Sequence, residues 1–121
     1  MKSSNVIQEK SYEFAIRIVH LYKKLIEEKH EYVLSKQVLR SGTSVGANVE
    51  EAIGAQTKKD FIAKLAIAYK EARETSYWIR IMRDTNLIDE KTAAPILEEC
   101  EQIKKILAAI QKTMAPKIFN S

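Results

Sequence analysis

The sequence is poor in the residues that turn, cross-link or span. Its 121 residues include two prolines and three glycines. That is too few turn formers for a β-sandwich or barrel, which needs one at nearly every strand end. A single cysteine excludes a disulfide framework and any zinc site built on several thiolates. No apolar run approaches the roughly 18 residues of a membrane span, so no membrane partner is expected. Residues 1–10 lack the apolar middle and small-residue cleavage site of a signal peptide, and the expected location is the cytoplasm. Neither charge sign dominates: 20 Lys and Arg stand against 16 Asp and Glu, a formal net of +4.

Hydrophobic residues make up 45% and charged residues 30%, enough apolar material for one domain with a real core. The apolar spacing is 3-4 throughout, and strict alternation is nowhere sustained. The first helix is expected over about 5–29. It carries one stripe of Phe14, Ile18, Leu21 and Leu25 and a second of Ala15, Val19, Tyr22 and Ile26. Two adjacent stripes make an apolar face wider than one neighbouring helix covers.

Ser35 is the expected cap of a second helix over 36–54, with Val38, Val45, Val49 and Ala52 as its apolar line. Thr57 opens a third helix over 58–86. Asp60 lies at capping-box spacing, and Phe61, Leu65, Ala68, Ala72, Thr75, Ile79 and Met82 hold the core register as far as a stop at Asn86. Asp89 caps a fourth over 90–113, with Ala93, Ile96, Cys100, Ile103, Leu107, Ile110 and Met114 inward. Pro95 should delay or bend its start, and Pro116 should end it ahead of a disorder-prone tail, 117–121. Short links between long helices predict an all-α fold, an antiparallel up-down-up-down four-helix bundle in a single domain over 1–121.

The second helix is weak by propensity. Gly42 and Gly46 together cost about 2 kcal/mol against Ala, so packing has to offset them. They share a face and, with Ala47 and Ala52, let another helix approach closely. Gln37, Arg40, Ser41, Ser44, Asn48 and Glu51 recur along the same helix at 3-4 spacing. That polar line is open to two readings, a solvated face or a half-buried network or oligomer contact in which Asn48 is hydrogen-bonded inside the protein.

Catalytic templates fail on spacing. Glu27 and His30 form one Glu-x-x-His, where a di-iron bundle needs two such motifs and two further carboxylates. His20 and His30 are ten apart, not three or four, and Cys100 sits in a core register. No enzyme activity, cofactor or metal is expected.

The positive charge is uneven. Residues 1–30 carry six basic groups against four acidic, and residues 57–88 carry seven against four. The candidates for phosphate contact are Arg17, Lys24, Arg40, Lys64, Arg73, Arg80 and Arg83. Tyr77 and Trp78 flank the third helix's core line beside arginines. They are read either as packing at the bundle edge or as an interface that stacks on bases or anchors a protein.

The block Gln37-Val38-Leu39-Arg40-Ser41-Gly42-Thr43-Ser44-Val45-Gly46-Ala47-Asn48-Val49-Glu50-Glu51-Ala52 closely resembles the signature of the bacterial 23S rRNA intervening-sequence proteins. Lys59-Asp60-Phe61 and Glu71-Ala72-Arg73-Glu74-Thr75-Ser76-Tyr77-Trp78 continue the match, and the resemblance covers about residues 8–113. It implies a four-helix bundle assembling as a cyclic homopentamer. It also implies kinship with the accessory variability protein of diversity-generating retroelements, which binds a reverse transcriptase and nucleic acid. No catalytic residue comes with it. In such a ring two different faces of each subunit meet. The expected pair is the wide face of the first helix and the Tyr77/Trp78 edge, with Gly42, Ser44, Gly46, Asn48 and Glu51 as further structural or oligomer positions. Two functions follow as expectations: an oligomeric bundle that binds RNA or DNA, and a protein-interaction scaffold without nucleic-acid contact.

Overall fold

The computed structural model describes residues 2–114. Four helices fill it: α1 (Lys2–Glu28), α2 (Leu34–Ile53), α3 (Lys58–Asp84) and α4 (Glu90–Met114). Each packs against its neighbours in the chain, and α1 closes the ring against α4. The registers run in opposite directions at each seam. Gly42 meets Ile18 while Gly46, further along α2, meets the earlier Ser11. Arg40 pairs with Glu71 and Glu74, whereas Glu51 pairs with the earlier Lys64. Lys10 reaches Gln102 and Arg17 reaches Glu99. The fold is the expected antiparallel four-helix bundle.

The predicted apolar lines supply its core. Phe14, Ile18 and Leu25 of α1 are fully enclosed, as are Val38, Val45 and Val49 of α2, Leu65, Ile79 and Met82 of α3, and Ile103 and Leu107 of α4. Phe61 and Met114, expected inward, are half-buried in the end turns of their helices, where fewer neighbours cover them. The second stripe of α1 is half-buried throughout.

Helix ends follow local chemistry. Thr57 caps α3 by accepting the Asp60 N–H at 3.0 Å. Asn86, at φ 62°, stops α3 in a left-handed conformation, and Leu87 and Asn86 return hydrogen bonds to the Met82 and Arg83 carbonyls. This is the Schellman closure that Asn tolerates better than most residues. Asp89 caps α4 by accepting the Thr92 N–H at 2.7 Å.

Three expectations need correction. Ser35 does not cap α2. It is buried inside the first turn, and its hydroxyl donates back to the Glu31 carbonyl. The cap is the Glu31 carboxylate, which accepts the N–H groups of Val33, Leu34 and Ser35. A four-residue reach lets one carboxylate serve three of the open donors of the first turn. Pro95 does not delay α4, which begins at Glu90. Its ring faces solvent, and Lys91, whose carbonyl loses its helical partner, is exposed to water. Ala47 is exposed and takes no part in the close approach, which Gly42 and Gly46 make, while Ala52 is buried as expected. The expected stop at Pro116 and the tail 117–121 lie outside the described residues.

Candidate nucleic-acid interface

The weak second helix is held by what it packs on. A Cβ at Gly42 would lie 2.7 Å from both γ carbons of Ile18, and one at Gly46 would lie 3.2 Å from the Ser11 carbonyl oxygen. The glycines therefore set the α1–α2 distance. On the other side, the polar line of α2 faces α3. Thr75 Oγ1 donates to Ser41 Oγ at 2.9 Å within the core. Arg40 bridges Glu71 and Glu74, and Lys64 reaches back to Glu51.

Only part of that line, Arg40, Ser41 and Glu51, bonds across the seam. Asn48, half-buried, donates to the Ser44 carbonyl of its own helix at 2.8 Å and makes no cross-helix bond. Ser44 likewise returns to the Arg40 carbonyl. The buried cross-helix pair is Ser41 with Thr75. The signal for it was present, since Ser41 and Thr75 both stand in apolar registers, at positions where a polar group has to find a partner.

From this seam a chain of contacts leads outward. The Trp78 indole N–H donates to Glu74 Oε2 at 3.0 Å, and Trp78 is half-buried as edge packing requires. The indole N–H and, after it, the Arg40 guanidinium hold the Glu74 carboxyl below its ordinary value, against the upward pull of partial burial. Beside Trp78, the Tyr77 ring stands edge-on at 5.3 Å between centroids, half exposed. The Arg80 guanidinium lies 5.9 Å from the Tyr77 centroid, within cation–π range.

The structure divides the basic candidates. Arg17 is paired to Glu99 across the α1–α4 seam, Arg40 and Lys64 are paired across the α2–α3 seam, and Arg83 is paired to Asp84 and lies 3.8 Å from Glu90. Lys24 is exposed on α1, where its charge helps hold the Asp89 carboxyl low, behind the Thr92 hydrogen bonds. Arg73 and Arg80 are exposed on the outward side of α3 and have no ion-pair partner among the described residues. Lys59 and Lys70 join them, two residues the sequence reading passed over. Continuing the 3-4 step back from Arg73 through Lys70, Ala66 and Ala63 reaches Lys59, and that repeat was the available signal.

Elsewhere the chemistry is quiet. A groove of about 440 Å³ along the α1–α4 seam is lined by Lys10, Glu13, Arg17, His20 and Glu99, a balanced mixture of signs. Burial pushes the Cys100 thiol up to about 12, which keeps it protonated and unreactive near neutral pH. Among the described residues no three His, Cys, Asp or Glu side chains converge as a metal site needs. No helix among them is long and apolar enough to cross a membrane.

Compared with known proteins, residues 3–109 match the family described as 23S rRNA-intervening sequence protein. A crystal structure of a protein of unknown function from the S23 ribosomal protein family of Bacteroides thetaiotaomicron is 50% identical. The match covers 91% of this chain and 98% of that one, with a TM-score of 0.89. No curated protein matches this chain.

Proposed function

The chain belongs to the 23S rRNA-intervening sequence protein family, and from that membership together with the charge on α3 we propose that it acts without catalytic chemistry, as a self-associating bundle that holds RNA or DNA by phosphate contacts. The observation that carries this reading is the outward side of α3. Lys59, Lys70, Arg73 and Arg80 stand there exposed, with no acidic side chain in the same line until Asp84. Unpaired cations attract phosphates and release counterions. Arg17, Arg40, Lys64 and Arg83 contribute less, because each has to leave a carboxylate to meet a phosphate. Lys24 remains a secondary contact at the far end of α1.

A second reading is a scaffold for another polypeptide, with no nucleic-acid contact. Exposed Tyr32 and Val33, in the α1–α2 connection, favour it. Titration of labelled RNA and DNA from 50 to 200 mM salt separates the two. The phosphate reading expects the logarithm of the affinity to fall linearly with the logarithm of salt, with a slope reduced by about 2 in the variant Arg73→Gln/Arg80→Gln. Absence of affinity at low salt overturns it and favours the scaffold.

A further inference from the structure

We infer that the outward strip of α3 takes single-stranded rather than duplex nucleic acid, with Tyr77 as the platform on which an unpaired base stacks. This rests on the nucleic-acid reading above and narrows it to one class of ligand. Four residues make the strip: Lys70, Arg73, Tyr77 and Arg80, at steps of three, four and three. On an α-helix they fall in one line about 15 Å long. The three cations are exposed and unpaired among the described residues, and the one aromatic among them is 50% exposed.

Tyr77 is held ready for a ligand. Its ring is set against Trp78, Trp78 is tied to Glu74, and Glu74 is tied to Arg40 on the neighbouring helix. An aromatic fixed by its surroundings loses little rotational freedom on contact, which is where binding energy is usually lost. Arg80 lies against Tyr77, so a base stacking there would also meet a guanidinium, the pairing that single-strand binders use.

Duplexes fit the strip poorly. A helix that reads DNA enters a major groove about 12 Å wide. Here α3 is flanked by α2 and α4, and neighbouring helix axes lie about 8–10 Å away on either side. The resulting surface is broader than the groove. The major groove of duplex RNA is narrower still, and the bases of either duplex are already stacked. Phosphate contact alone would leave no work for Tyr77.

The test is fluorescence anisotropy of the full chain with labelled oligo(dT), oligo(U) and a duplex of equal length. The single strands are expected to bind at least tenfold more tightly than the duplex. Tyr77→Ala should weaken single-strand binding about tenfold or more and leave duplex binding unchanged, while Tyr77→Phe, which keeps the ring, should bind as the parent does. Emission from Trp78, the chain's one tryptophan, should change with oligo(dT) in both the parent and Tyr77→Phe. Equal affinity for single strands and duplex, with no effect of Tyr77→Ala, overturns this inference and leaves phosphate binding standing. No binding of any strand by the parent removes the broader reading itself. A fall in assembly mass in Tyr77→Ala that is absent in Tyr77→Phe overturns the inference by assigning the ring to contact between copies.

Discussion

Glu31 is the residue on which the start of α2 depends. Burial pulls its carboxyl up, but the N–H groups of Ser35, Leu34 and Val33 and the Ser35 side chain outweigh this and hold it below the ordinary value of 4.5. A carboxyl lowered on folding stabilises the native state above its unfolded value and loses that contribution as pH falls through the folded one. In the unfolded chain Glu31 takes up its proton first, so acid favours unfolding. Glu31→Gln keeps an acceptor but not the charge, and should cost about 1 kcal/mol at pH 7. Urea denaturation of both proteins at pH 7 and pH 3 should show the difference closing at the lower pH. A difference equal at both would mean that the carboxylate charge does not hold the cap.

Among the elements, α2 is the one whose sequence works against its structure. Alanine at position 42 would gain about 1 kcal/mol of helix propensity. It would also place a methyl 2.7 Å from Ile18 Cγ1 and Cγ2, atoms fixed to a β-branched stem in the core. Ile18 has little rotamer freedom to move aside, and overpacking costs about 1–3 kcal/mol. With both Ile18 γ carbons in the way the steric cost is the larger, so Gly42→Ala should lower stability by up to about 2 kcal/mol. In a double-mutant cycle with Ile18→Ala that cost should shrink. Gly54→Ala, where the nearest atoms are 3.8 Å away, should be nearly neutral. Equal effects at the two glycines would contradict the close-approach account of α2.

Taken as a molecule, the bundle encloses one stripe of α1 and leaves more apolar surface outside. Tyr12 and Ile16, one turn apart on α1, are exposed at 65% and 42%. Single exposed apolar side chains are common, whereas adjacent ones form a patch that another surface can cover. We propose that copies of the chain meet through this side of α1, which in a closed ring would sit against a different face of the next subunit. Light scattering at micromolar concentration should give a multiple of the 13.8 kDa chain mass, falling toward that mass in Ile16→Glu. A parent that already scatters as one chain would rule out self-association.

The sequence by itself determined the four helices and their inward faces, because apolar period, caps and breakers are local. Thr57, Asp89 and Asn86 acted where they stood, and Phe14, Val45, Ile79 and Leu107 went inward as their 3-4 spacing requires. Gly42 and Gly46 also announced a close approach before any neighbour was known. Only the tertiary structure decided which basic groups stay unpaired. The partners of Arg40 lie 31 and 34 positions away, and the partner of Arg17 lies on the last helix. Whether a cation faces a carboxylate or the solvent is set by register across a seam. The same is true of Ser41 and Thr75, whose meeting needed two helices in place, while Asn48, equally polar, found its acceptor one turn back. Spacing along a chain fixes which side of a helix a residue occupies. What stands opposite it depends on distances that exist only after the helices pack.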